Sequence, residues 1–225
     1  DYIITAKKLT GTMPAHPAVL KSIVTTEMAR AAANKNGVDC FDTFTGFKFL
    51  AEKIKHFETT GSHEYIFAFE ESYGYLCGDY ARDKDAVTAS MLIAEMAAYY
   101  RTQGKTLYDA MEEMYEKYGY YCEQTVSITM PGVSGLQRMK ELMAELRDKP
   151  LTMVGADKVE YTRDYMPGTR TCMADGKVEQ MELKGQNVMY YELEGGTTFI
   201  IRPSGTEPKV KVYIMAKGDS KADAA

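Results

Sequence analysis

The chain has 225 residues, 45% of them hydrophobic and 26% charged, the profile of a soluble globular protein with core enough for one large domain or two ordinary ones. Its net charge is −5, with three histidines and no lysine/arginine run, which excludes the clustered positive charge on which nucleic-acid binding depends. Any phosphate chemistry must therefore be local.

Cys40, Cys77, Cys122 and Cys172 are far apart and form no CxxC pair, which argues against a zinc site and against a disulfide framework. No stretch approaches the ~18 apolar residues that span a bilayer, and the N-terminus lacks the basic and apolar regions of a signal peptide. These features predict a cytoplasmic protein with reduced thiols and with neither membrane nor nucleic acid as partner. The chain opens on Asp1-Tyr2-Ile3-Ile4 without a methionine. It closes on Lys217–Ala225, the beginning of a helix with no room to continue. Both ends read as cuts in a longer polypeptide.

In chain order, Val19–Val24 is a short apolar run ending in Thr25-Thr26, good helix-capping residues. Glu27 to Asn36 reads as a helix stopped by Asn36-Gly37. Val38–Phe44 is a strand candidate and Thr45-Gly46 a turn. Phe47–Phe57 is a helix with apolar residues at Phe47, Leu50, Ala51, Ile54 and Phe57. Tyr65–Phe69 is a third strand, followed by helices over Asp85–Gln103 and Leu107–Tyr118. Strands alternating with helices predict an α/β domain, a mixed, partly parallel sheet with helices on both faces.

After Tyr118-Gly119 the pattern changes. Gln124–Met130 reads as a strand, Gly135–Arg147 as an amphipathic helix and Lys158–Tyr165 as extended. Val188–Leu193 and Thr197–Ile201 face each other across Glu194-Gly195-Gly196, a hairpin signal, and Val210–Met215 is the last strand. This half predicts an α+β domain, an antiparallel sheet with packed helices. The boundary falls near residues 118–125, giving domains over residues 1–120 and 121–225.

Four polar segments stand out. In Arg202-Pro203-Ser204-Gly205-Thr206 the arginine fork matches two phosphate oxygens, Ser204 and Thr206 each offer a hydroxyl, and Gly205 lets the backbone approach an anion. A plain β-turn explains the same residues. In Glu70-Glu71-Ser72, at the C-terminal end of a strand, alternation sends Glu70 and Ser72 the same way, toward sugar hydroxyls, and Glu71 the other way. An exposed acidic loop is the alternative. In Arg82-Asp83-Lys84-Asp85 either aspartate is a natural N-cap, and a cation beside the positive end of a helix dipole is mildly disfavoured, which suits a lysine that exchanges a proton. A solvated lysine is the alternative. Thr45-Gly46-Phe47-Lys48 opens a helix whose free N–H groups favour anions.

Together and in this order, these four segments resemble the α-D-phosphohexomutases, most closely the bacterial α-phosphoglucomutase branch. The likeness covers nearly the whole chain. It implies a domain III-like part, truncated at its N-terminus, over residues 1–120 and a domain IV-like part, truncated at its C-terminus, over residues 121–225. The missing N-terminal domains of the same polypeptide are then a partner. By the same resemblance, Glu70 and Ser72 hold ring hydroxyls, and Gly46 and Phe47 line the sugar site. Lys84 matches an acid/base group, and Arg202, Ser204, Gly205 and Thr206 bind the non-reacting phosphate.

The family's serine loop of Thr-Ala-Ser-His-Asn-Pro type and its Asp-x-Asp-x-Asp metal loop are not present in the chain. The resemblance implies Mg2+ and glucose 1,6-bisphosphate in the complete enzyme, with the Mg2+ ligands not on this chain, and a fragment that is inactive alone. The implied reaction interconverts glucose 1-phosphate and glucose 6-phosphate through a phosphoserine, with a bisphosphate that reorients by half a turn. The Glu-Glu-Ser-x-Gly form points to glucose phosphates. A mutase for mannose or pentose phosphates, or a non-catalytic sugar-phosphate binding module, is the alternative.

Overall fold

Every residue of Pro17–Ser22 (β1) is buried, as a parallel strand covered on both faces requires. The computed structural model describes residues 1–205 and 207–224 and divides the chain into two units, Asp1–Tyr120 and Tyr121–Ala225. In the first unit β1 lies between β2 (Asp39–Thr43) and β3 (Glu64–Glu70), parallel to both. A short β4 (Gly74–Leu76) returns antiparallel beside β3, so the sheet is mixed, in the order β2-β1-β3-β4.

Alternation along β1 assigns its residues to two cores. Ala18 and Leu20 pack with Phe47, Leu50, Ile54 and Phe57 of α3 (Phe47–Thr60). Val19 packs with Ile4 of α1 (Tyr2–Leu9) and Ala33, on α2 (Met28–Lys35). Each large apolar side chain buried in this way contributes about 1.5–3 kcal/mol. Packing of this apolar stripe therefore holds α3, which has no side-chain cap of its own. Helices α4 (Ala86–Thr102) and α5 (Leu107–Tyr118) complete the unit.

The second unit is built on one sheet. In chain order its strands are β5 (Tyr120–Thr129), β6 (Met153–Val154), β7 (Asp157–Asp164), β8 (Thr169–Cys172), β9 (Val178–Gln180), β10 (Met189–Leu193), β11 (Thr198–Pro203) and β12 (Lys209–Gly218). Their spatial order is β5-β12-β11-β10-β7-β8-β9, with β6 on β7. The pairings β7–β10, β10–β11 and β11–β12 are antiparallel. One sheet face is closed by α6 (Gly132–Asp148), whose Met139, Met143 and Leu146 pack on Val159, Met189, Tyr191, Leu193, Ile201 and Val210. The chain ends in a single helical turn, α7 (Lys221–Ala224).

Both layer types follow the expectation from the sequence, and several details differ. Helix α1 and strands β4, β6, β8 and β9 are additions to it. The four strands have two to four residues each, too few for alternation to show. Thr25 does not cap α2. The N-cap position is Glu27, and Thr26 Oγ1 accepts from the Met28 N–H at 3.2 Å while Thr25 turns inward.

Candidate functional site

In the first unit the candidate residues gather where β1 and β3 end, the edge at which open α/β sheets carry their sites. Strand β3 stops at Glu70, and Glu71–Tyr73 form a turn into β4. Glu70 is only 6% exposed, and its carboxylate accepts from the Gly46 N–H. Gly46 is the N-cap of α3, at φ 119°, where a β-carbon would be strained. With no cap from its own residue, the positive end of α3 is met by Glu70 instead.

Glu71 is bound from another direction. Its Oε2 accepts from Ser22 Oγ at 3.0 Å and Thr25 Oγ1 at 3.3 Å, and those hydroxyls meet each other at 2.8 Å. Below them lies Lys21, fully buried, donating to the Thr25 carbonyl at 3.0 Å and the Ser22 carbonyl at 3.4 Å. Its Nζ pairs with Glu27 at 2.7 Å and Asp42 at 2.9 Å, and Arg30 bridges the same carboxylates at 2.8 and 2.5 Å. Burial lowers the Lys21 ammonium, but Asp42 and Glu27 override it and hold the pKa above its ordinary value. Glu27, pushed up by burial, is held below the usual carboxylate range by Lys21 and Arg30.

Alternation therefore does not run through Ser72, because the strand has already ended. Ser72 sits in the turn, exposed, followed by Tyr73, 86% exposed at φ 62°. Phe47 follows Gly46 as the first residue of α3. It is 3% exposed, a core residue whose ring lies 5.1 Å from Lys84 Nζ. A β-carbon on Gly74 would fall 2.6 Å from that ring and 2.9 Å from the Lys84 stem, so Gly74, Phe47 and Lys84 form one close-packed seat. Lys84 is exposed at its head and pairs with Asp83 at 2.8 Å, which holds the Asp83 carboxyl below its ordinary value. Asp85, not Asp83, caps α4, accepting from the Val87 and Thr88 N–H groups at 2.9 and 3.2 Å. Hydrogen bonds from the Thr88 and Tyr80 hydroxyls, with those N–H groups behind them, pull the Asp85 carboxyl down to about 2.

In the second unit Arg202 lies near the end of β11, and the chain turns back into β12 at Lys209. The turn is held at its base by Ser204 N–H to the Lys209 carbonyl at 2.8 Å, and Met130 N–H donates to the Pro208 carbonyl at 2.7 Å. Ser204 Oγ accepts from the Glu207 N–H at 3.3 Å. The space around Gly205 is open, with nothing within 4 Å of where a β-carbon would stand. Thr206 lies outside the described residues.

The register places Lys211 directly opposite Arg202. Glu207 is committed to Lys209 at 2.5 Å, and among the described residues neither Arg202 nor Lys211 has an ion-pair partner. Two cations facing each other across a ladder repel, an arrangement suited to a doubly charged anion. The sequence motif does not reach Lys211, although the antiparallel pairing of a hairpin carries it opposite the arginine. Ser22 and Thr25 give no sequence signal beyond a helix start. Among the described residues no group of three His, Cys, Asp or Glu side chains is arranged to hold a metal ion. No described helix is long and apolar enough to cross a membrane.

Comparison with known proteins agrees with this anatomy. The family model for the phosphoglucomutase/phosphomannomutase alpha/beta/alpha domain III matches residues 2–118, and that for the C-terminal domain matches residues 170–225. A phosphoglucomutase of Staphylococcus haemolyticus is 35% identical over 209 residues, covering 92% of this chain and 37% of that protein. One from Staphylococcus aureus is 35% identical over 211 residues, 93% of this chain and 38% of its own. The chain thus spans little more than a third of these relatives. The solved structure of parafusin, the exocytosis-sensitive phosphoprotein (phosphoglucomutase) of Paramecium, shares the fold with a TM-score of 0.60 at 18% identity. That likeness covers 91% of this chain and 33% of the Paramecium one. With the domain III model matching over half of the chain and the C-terminal-domain model matching the end of the antiparallel unit, the chain belongs to the phosphoglucomutase/phosphomannomutase family.

Proposed function

We propose that this chain is the sugar- and phosphate-recognising C-terminal part of a phosphoglucomutase that interconverts glucose 1-phosphate and glucose 6-phosphate. The observation that carries the reading is the Arg202–Lys211 pair, two facing cations without ion-pair partners among the described residues, beside the loop of Ser204 and Gly205. A phosphate dianion relieves their repulsion and takes hydrogen bonds from the guanidinium fork and the loop. Residues 1–120 and 121–225 act as domain III-like and domain IV-like parts.

In this reading Ser72 and Glu70 engage ring hydroxyls, with Gly46 held in place by Glu70. Lys84, seated on Phe47, exchanges a proton with the sugar hydroxyl that gains or loses the phosphoryl group. Arg202, Lys211, Ser204, Gly205 and Thr206 hold the phosphate that is not being transferred. The serine that carries the phosphoryl group, and the Mg2+ that goes with it, belong to the part of the relatives that this chain does not cover. Glucose 1,6-bisphosphate is the intermediate, bound by the same residues in two orientations. Such chemistry rests on positioning and charge stabilisation. The cytoplasm is where its substrates are expected.

The test is a titration of the isotopically labelled chain with glucose 1-phosphate, followed by backbone amide shifts. Shifts at Ser204 and Gly205 and at Glu70–Ser72 are expected at millimolar ligand. Silence at both loops overturns the reading. Parallel titrations with mannose 1-phosphate and ribose 1-phosphate rank the sugars, with glucose expected to move Ser72 most. A coupled mutase assay on the chain alone is expected to show no turnover.

A further inference from the structure

We propose that Glu71 is a positioning residue, a strut whose carboxylate, gripped by the buried hydroxyls of Ser22 and Thr25, sets the turn that presents Glu70 and Ser72. The proposal rests on reading that turn as the sugar site.

The strut's anchor is rigid. Ser22 is fully buried and Thr25 is 2% exposed, so each hydroxyl must find a partner inside the protein. Each hydroxyl has one proton to donate, and Glu71 Oε2 lies within reach of both. The segment bearing the hydroxyls is itself clamped from beneath, because the buried Lys21 ammonium donates to the carbonyls of both Ser22 and Thr25. Glu71 is thus tied to the end of β1, while Glu70 is tied to the start of α3 through Gly46.

Between these ties and Gly74, which is packed against Phe47 and Lys84, only Ser72 and Tyr73 are left to reverse the chain. They do so with Tyr73 at φ 62°, a conformation that non-glycine residues keep only when their surroundings dictate it. Ser72 has no side-chain partner among the described residues, so the two ties determine where its hydroxyl stands. A sugar hydroxyl read by Ser72 is read indirectly through Glu71.

The test uses Glu71→Ala, Thr25→Val and Thr25→Ser in the labelled chain. One readout is amide hydrogen exchange at Ser72–Gly74 without ligand. The other is affinity for glucose 1-phosphate, with inorganic phosphate as probe of the Arg202 loop. Glu71→Ala and Thr25→Val are expected to speed exchange at Ser72–Gly74 and to weaken glucose 1-phosphate about tenfold, the effect of a lost hydrogen bond to a charged group. Inorganic phosphate is expected to bind unchanged, and Thr25→Ser, which keeps the hydroxyl, to behave as the parent.

The strut is overturned if Glu71→Ala leaves exchange and affinity unaltered, or if Thr25→Ser is as damaging as Thr25→Val. Should the parent chain ignore glucose 1-phosphate altogether, the sugar reading fails and the exchange data alone decide the strut. If Thr25→Val does not fold, Glu71→Ala, at a partly exposed position, decides between the two outcomes.

Discussion

The two candidate loops are built on opposite principles. Around Glu70–Tyr73 these charges are committed: Glu70 to Gly46, Glu71 to Ser22 and Thr25, and Lys21 and Arg30 to Glu27 and Asp42. At the β11–β12 loop Lys209 and Glu207 satisfy each other, yet among the described residues Arg202 and Lys211 face one another without a counter-charge. Each design matches a different kind of ligand group. A neutral hydroxyl is discriminated by where its partners stand, so the first loop invests in rigidity. A dianion is attracted by charge, so the second keeps its cations in reserve.

The largest expected effect breaks the first half of that contrast. Lys21→Met removes the buried ammonium under Ser22 and Thr25 and leaves Glu27 and Asp42 with Arg30 alone. Breaking a buried ion pair from one side costs about 3–5 kcal/mol, so the chemical-denaturation midpoint of the first unit is expected to fall sharply. A midpoint unchanged within error would mean that the network contributes nothing.

Arg202→Ala probes the other half. Loss of a charge-assisted contact is expected to weaken inorganic phosphate by about 1.5–3 kcal/mol, read by titration. The melting temperature should hold or rise, since the substitution also removes a like-charge pair. A protein that binds phosphate normally but melts earlier would reverse the comparison and make Arg202 structural.

Gly74→Ala sharpens the idea of a rigid first loop. Its β-carbon meets the buried Phe47 ring and the stem of Lys84, and such overpacking typically costs about 1–3 kcal/mol. Amide shifts at Phe47 and Lys84 should report the displacement, and their absence would show that the seat is loose. Smallest is a pH effect at the cap of α4. The Asp85 carboxyl titrates at about 2 in the folded chain, below its ordinary 3.8. Its contribution is therefore present above about pH 4 and is lost as pH falls toward 2. Amide exchange at Val87 and Thr88 should quicken over that window, and the change should be much smaller in Asp85→Asn.

The sequence is most informative where a pattern is local. The apolar spacing of Phe47–Phe57 announces α3, the Gly-Gly turn announces the β10–β11 hairpin, and the Arg202–Thr206 segment has the composition of an anion loop. Details set by distant partners are not legible there. Strand alternation says that Glu71 points away from Glu70, but not that Ser22 and Thr25, some fifty residues earlier, take hold of it. Thr25 looks like a cap because hydroxyl residues before a helix usually are, and only the fold brings a carboxylate within its reach. Nor does the motif around Phe47 tell that its ring packs in the core under Lys84, which lies 37 residues further along the chain.

The facing cations of β11 and β12 also make ionic strength a structural variable for the second unit. Going from about 0.01 M to 0.15 M salt shortens the Debye length from about 30 to 8 Å. Repulsion between partly exposed charges is then screened, while the fully enclosed Lys21 is screened far less. Added salt is expected to stabilise the second unit more than the first, and multivalent anions to do so at lower concentration than chloride, because they bind as well as screen. The composition of the surrounding electrolyte thus acts on the two charge arrangements in opposite measure, relieving Arg202 and Lys211 while the enclosed Lys21 network hardly feels it.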